Sequence, residues 1–199
     1  MKAIICCATL ALFAGSSWAG TLNLGYSGFY KHLDTVAKAR VEQAHLGFYL
    51  IRQNGDGMCR IESGEVRVAQ DIRGQVEVLP HGQFRLPYDK QLDLDKAVVA
   101  LEVEDPERCD IAIKIQAELD AGEISLARLR EVRQEMDLLL KKMAGWPGRY
   151  FVPELKGLHL VAAEPGQQLG GKERLELSDS QLAEERSLTL PAVRISPWL

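Results

Sequence analysis

The sequence predicts an α+β fold: an antiparallel β-sheet, curled toward a sandwich, with one long amphipathic helix packed on it and short flanking helices. Three observations carry this. Short β-rich segments separated by turn residues run from His45 to Ile115, the pattern of antiparallel strands. One of them alternates strictly, with Ile111, Ile113 and Ile115 against Asp110, Ala112 and Lys114, as a strand with one dry and one wet face does. The period then switches. Leu126, Leu129, Val132, Met136, Leu139 and Met143 recur three or four residues apart, a continuous helical stripe.

Each element follows from local chemistry. Phe29, Leu33, Val36 and Ala37 place one apolar face on a helix over Tyr26–Ala39, with Ser27 or Gly28 as its N-cap. His45–Ile51 is aromatic and β-rich, and stops at Asn54-Gly55-Asp56-Gly57, a turn. Cys59–Val68 is a strand that Gly74 separates from Val76–Val78. Pro80-His81-Gly82 breaks the chain again before Phe84 and Leu86. Ala97–Val103 is a mostly apolar strand closed by Asp105-Pro106-Glu107. Ser125 caps the long helix, Lys141 and Lys142 complement its C-terminal dipole, Gly145 takes the C′ position and Pro147 blocks continuation. Leu155–Ala163 returns to strand. A loose segment around Gly166, Gly170 and Gly171 follows, then a capping box, Ser178-x-x-Gln181, opening a short helix to about Arg186. Leu188–Leu199 is extended, able to add a strand to another sheet edge or to its own.

The N-terminus reads as a targeting segment rather than as part of the fold. Lys2 precedes the apolar run Ala3–Ala14, and Ser17-Trp18-Ala19 places small residues at the −3 and −1 positions of a cleavage site. This is the pattern of a secretory signal peptide cut after Ala19. Domain expectations are residues 1–19 as signal peptide, 20–163 as one α+β domain, and 164–199 as a C-terminal extension with a short helix and an extended tail. Cleavage leaves 180 residues with 23 basic and 28 acidic side chains. No later apolar run approaches the roughly 18 residues of a membrane-spanning helix, so no transmembrane segment is expected in the mature chain. Net negative charge gives no broad electrostatic reason to bind DNA, RNA or an anionic membrane. Four cysteines become two, Cys59 and Cys109. An exported chain with two cysteines is expected to pair them. The closed loop of roughly 51 residues is worth about 4 kcal/mol in chain entropy.

Candidate chemistry is sparse. His32, His45, His81 and His159 show no helical i, i+3 or i, i+4 spacing, so no metal site is expected. Aligned as a calcium loop, Asn54-Gly55-Asp56-Gly57 puts Arg52 and Ser63 where carboxylates are needed, so a hairpin turn explains it better. Asp93-Leu94-Asp95 offers two carboxylates on one side of an extended segment. Glu102, Glu104, Asp105 and Glu107 form an acidic cluster, read as a solvated strand end. There is no G-x-S-x-G elbow, Walker A or dinucleotide fingerprint, so no catalytic residue and no cofactor is assigned. Arg128, Arg130, Arg133, Lys141 and Lys142, interrupted by Glu131, Glu135 and Asp137, read as a mixed, solvated helix face.

The order of short motifs resembles a known family. Tyr26-Ser27-Gly28-Phe29-Tyr30-Lys31-His32-Leu33 is followed by Leu46-Gly47-Phe48-Tyr49 and Cys59-Arg60-Ile61-Glu62. Leu86-Pro87-Tyr88-Asp89 with Leu92, Cys109-Asp110 and Phe151-x-Pro153 follow in turn. From Tyr26 to Ala163 the chain resembles an uncharacterised family of exported gammaproteobacterial proteins, catalogued as domain of unknown function 2987. The resemblance implies a signal peptide, a Gram-negative envelope location and two recurring cysteines, and no catalytic residue. The functional expectation is a non-enzymatic periplasmic binding module with an envelope protein as partner. The alternative is a periplasmic hydrolase assembled from sequence-distant histidines and acidic residues.

Overall fold

A computed structural model describes residues 19–55 and 57–199. The predicted signal peptide lies outside the described residues except for Ala19, and so does Asp56 of the predicted turn. The fold is α+β. In chain order its elements are β1 (Ala19–Gly25), α1 (Tyr26–Ala39), β2 (Ala44–Arg52), β3 (Ile61–Val68), β4 (Asp71–Gln75), β5 (Glu77–Val78) and β6 (Gln83–Arg85). Next come α2 (Lys90–Leu94), β7 (Val98–Glu104), a 3-10 turn at Pro106–Arg108, β8 (Cys109–Leu119), β9 (Gly122–Ser125) and α3 (Leu126–Gly148). The chain closes with β10 (Gly157–Ala162), β11 (Arg174–Ser178), α4 (Asp179–Leu182), β12 (Ser187–Leu190) and β13 (Val193–Trp198).

All strand pairs are antiparallel. A four-stranded sheet has the order β1-β7-β3-β4, a seven-stranded sheet β11-β10-β13-β8-β2-β6-β5, and β12 pairs with β9. Neither large sheet closes into a barrel. The last strand, β13, is not at an edge. It lies between β10 and β8, with Leu160 opposite Ile195 on one side and Ala117 opposite Ile195 on the other.

Two core clusters form. Leu126, Leu129, Val132, Met136 and Leu139 of the predicted stripe of α3 are fully buried, and Met143 partly so, against the core that holds Leu46, Ala117, Leu158, Leu160 and Ile195 of the seven-stranded sheet. Each such aliphatic side chain contributes about 2 kcal/mol on burial. The second cluster joins both sheets. Phe29 of α1 meets Phe48 edge-on at a centroid distance of 5.1 Å and Phe84 at 5.8 Å, and Val99, Leu101 and Val103 of β7 close the same core. The disulfide Cys59–Cys109 is formed and belongs to this cluster, tying the start of β3 to the start of β8.

Several expectations are corrected. Helix α1 starts at Tyr26, so Ser27 and Gly28 lie inside it; Gly25 is the N-cap and supplies no side-chain cap. Gly74 does not end a strand. It sits within β4 opposite Val66, at a bulge where Arg67 pairs with Ile72. Val76 is not mid-strand but the crossing point between sheets, since β4 belongs to one and β5 to the other. Asp93-Leu94-Asp95 is not extended. Asp93 lies in α2, capped by Asp89, and Asp95 ends it, bonded to Gln91 and 3.8 Å from Arg73. The two faces of β8 are less clean than strict alternation implies, because Ile111 is exposed on the dry face while Gln116 is buried on the wet one. The basic side of α3 is not simply solvated. Arg133 binds Asp179 and the Leu155 carbonyl, Arg130 binds the Leu182 carbonyl, and Glu135 accepts three backbone amides, from Glu42, Gln43 and Ala44.

Candidate functional site

The seven-stranded sheet buries one face under α3 and α1. Its other face is polar, and strand register determines what stands there. His45 pairs with Gln116, Tyr49 with Gln83, Arg194 with Glu118, and His159 with Ser196 and Glu176. Paired residues share a face, so these side chains stand on one face, contributed by β2, β6, β8, β10, β11 and β13.

At the centre is a hydrogen-bonded cluster. Tyr49, Gln83 and Gln116 are buried. The Tyr49 hydroxyl donates to Gln116 Oε1 at 2.6 Å. Gln116 Nε2 donates to Gln83 Oε1 at 2.7 Å and faces His45 Nε2 at 3.2 Å. Gln83 Oε1 also accepts from His81 Nε2 at 2.9 Å. An amide N–H can face His45 Nε2 only if that nitrogen accepts, which places the His45 proton on Nδ1, toward the Gln43 carbonyl at 3.5 Å. Burial holds the His45 pKa below the ordinary histidine range; Gln43 and Glu118 oppose that and Arg85 adds to it. The Tyr49 phenol is pushed up, first by burial, with the Arg194 guanidinium beside it partly offsetting the rise. Arg194 Nε is itself buried and has no hydrogen-bond partner among the described residues, and Lys114 Nζ sits 4.9 Å from the centroid of the Tyr49 ring. Gly47 makes the close packing on this face feasible. A Cβ there would stand 2.7 Å from Gln116 Oε1 and 2.8 Å from Tyr49 Cε2.

Two of the four histidines therefore meet, and two do not. His45 and His81 are joined through Gln116 and Gln83. His159 shares the face but stands apart, 3.4 Å from Glu176 Oε1 and 5.4 Å from the Trp198 ring. His32 is on α1, where burial and then Lys31 lower its pKa. His81 also borders a crevice of about 610 Å³ reached by Glu62, Val78 and the Cys59 half of the disulfide. The acidic cluster at the end of β7 is used structurally at one position, where Glu102 accepts from Thr21 at 2.6 Å. Among the described residues, no three His, Cys, Asp or Glu side chains are grouped to hold a metal ion. Again among the described residues, no helix is long and apolar enough to cross a membrane.

Sequence reading missed two further surfaces. One is the junction of two motifs separated by more than fifty residues. The Tyr26 hydroxyl donates to the Pro87 carbonyl at 2.5 Å and accepts from the Asp89 amide at 3.0 Å. The Tyr30 and Tyr88 rings stack at 5.4 Å. Tyr88 donates to Asp34 at 2.9 Å, which pushes its phenol up to about 12. The other surface follows α3. There Trp146, Tyr150 and Phe151 are 79%, 68% and 82% exposed. The exposed Trp-Pro-Gly-Arg-Tyr-Phe composition was the available signal.

An α+β chain of two large antiparallel sheets and a two-stranded one, with a polar, histidine-bearing sheet face and exposed aromatic side chains after α3, is the class this architecture defines. The chain belongs to the family described as Protein of unknown function (DUF2987), whose model matches residues 18–161. The matched segment ends in β10, so β11, β12 and β13 lie beyond it. Neither the curated proteins nor the solved structures yielded a match.

Proposed function

We propose that this protein is exported to the periplasm of a Gram-negative cell and works there by binding at the envelope, with an envelope protein as the partner to be sought. One observation carries the binding reading. Trp146, Tyr150 and Phe151, within six residues of one another, are left largely exposed by the described residues. Large exposed aromatic groups on an otherwise well-packed chain mark contact surfaces. Export is supported by the apolar N-terminal run with Ser17-Trp18-Ala19 and by the Cys59–Cys109 bond, which persists in oxidising compartments. Cutting after Ala19 removes only the first residue of β1. The test is cell fractionation with intact-mass analysis. The expected species starts at Gly20, weighs two hydrogens less than its reduced form and sediments in part with envelopes. A cytoplasmic, full-length, reduced protein overturns the proposal.

A second reading, a hydrolase, is favoured by the meeting of His45 and His81. Their ring contacts at that site are carboxamides rather than carboxylates, and a carboxylate is the usual orienting partner of a basic imidazole. Chromogenic esters, phosphate monoesters and glycosides offered to the wild type and to H45A/H81A decide it. Turnover that disappears in the variant supports a hydrolase, and none above the variant retires it.

A further inference from the structure

The helical stripe of α3 stops where Gly145 takes φ 64° and Trp146 turns extended. The chain then passes through Gly148–Phe151 before returning to the sheet at Gly157. This excursion carries the three most exposed aromatic rings of the described residues. It also has a charge of its own. From Lys141 to Lys156 there are four cations and one acid, Glu154, in a chain whose net charge is −4. Between Trp146 and Val152 there is no acidic residue. Arg149 lies 4.8 Å over the Tyr150 ring and donates to its hydroxyl at 2.7 Å, so one cation is held against that ring. Lys141 is neutralised by Asp137 at 2.6 Å. Lys142, one turn before Trp146, has no ion-pair partner among the described residues. At the foot of the tip is an apolar groove of about 570 Å³ lined by Leu140, Met143, Val152 and Pro153, with Lys114 at its margin.

We propose that the Trp146–Phe151 tip docks on the surface of an anionic phospholipid membrane, with its rings at headgroup depth and Lys142 and Arg149 on lipid phosphates. The inference rests on the reading that the protein works at the envelope, and it gives the tip a lipid rather than a protein occupant. Trp and Tyr favour the membrane interface because their rings are apolar at one end and polar at the other. Basic side chains beside them gain from the negative surface potential. Protein interfaces are depleted in lysine, whereas Lys142 stands one turn before Trp146 here.

The experiment uses the full mature protein with W198F, so that Trp146 is the fluorophore. Vesicles of phosphatidylglycerol and phosphatidylethanolamine are compared with phosphatidylcholine vesicles, at low and high salt. The expected result is co-sedimentation with anionic vesicles and a blue shift of Trp146 emission, both weakened by salt. Affinity should fall roughly tenfold or more in K142E/R149E, and likewise in Y150A/F151A, with unchanged thermal melts since these side chains are exposed. No blue shift on anionic vesicles overturns the proposal, as does binding that the tip variants leave intact. Self-association that these variants abolish, with no vesicle binding, assigns the tip to a second copy instead. If the tip variants still fractionate with envelopes in cells, this inference fails while the envelope reading stands. If the wild type never leaves the cytoplasm, the envelope reading fails whatever the vesicles show.

Discussion

The Tyr49 hydroxyl and Gln116 Oε1 are 2.6 Å apart, on adjacent strands and on the sheet face turned away from the α3 core. The Gln116 amide nitrogen serves both Gln83 and His45 while its oxygen accepts from Tyr49. Truncating it leaves several buried groups unpaired at once, each costing about 1–3 kcal/mol. Q116A is therefore expected to lose roughly 2–4 kcal/mol in urea unfolding, and Y49F about 1 kcal/mol. G47A should resemble Q116A, because its Cβ would collide with both partners. Equal, near-zero losses would mean that the cluster contributes nothing to stability.

Acid should weaken the protein through His45. Its folded pKa is depressed, first by burial. The unfolded chain then binds the proton more readily, so stability is intact above the ordinary value of about 6.5 and declines as pH falls below it. His32 shifts the same way. The network adds a specific cause, since a proton on His45 Nε2 would set two donors face to face with the Gln116 amide. Thermal melts between pH 5 and pH 8 should show a falling acid limb that H45Q flattens. An H45Q profile parallel to wild type would remove His45 from the account.

Glu135 fastens α3 to the start of β2. Its carboxylate accepts from the amides of Glu42, Gln43 and Ala44 at 3.1, 2.8 and 2.8 Å. Charge-assisted bonds to backbone amides are among the stronger kind. E135A is expected to cost roughly 2–3 kcal/mol and E135Q less, since the amide keeps one acceptor oxygen. Hydrogen exchange at these three amides should rise in E135A. Unchanged exchange would show that the loop holds itself.

Removing the disulfide in C59A/C109A closes no contact gap between sheets but frees the unfolded chain. The bridged cysteines are 50 residues apart, so the expected loss is about 4 kcal/mol by loop-closure entropy. Urea midpoints of the oxidised wild type, the reduced wild type and the variant measure it. The last two should agree.

Much of the fold was legible because it is local. The apolar stripe of α3, its Ser125 cap and the break at Gly145 follow from one turn of helix meeting the next and stand as predicted, although a further short turn carries the range of α3 past Pro147 to Gly148. The capping box at Ser178 and Gln181 is present for the same reason, though α4 ends at Leu182 rather than near Arg186. Strand β1 was missed, since Thr21, Leu22, Asn23 and Leu24 become a strand only by pairing with β7. Gly122–Ser125 and Arg174–Ser178 were missed likewise, for want of their partners β12 and β10.

By itself the sequence determined the α+β class, the helix that covers the sheet, the cysteines that pair and the family. Periodicity, capping and residue count act over a few positions, and a linear chain displays them directly. Only the tertiary structure decided that β13 lies inside the sheet, that Tyr26 reaches Pro87, and that His45 and His81 meet through Gln116 and Gln83 while His159 stands apart. Those relations depend on strand order and register. A one-residue slip in register would turn His45, Gln83, Gln116 and His159 to the opposite face of the sheet.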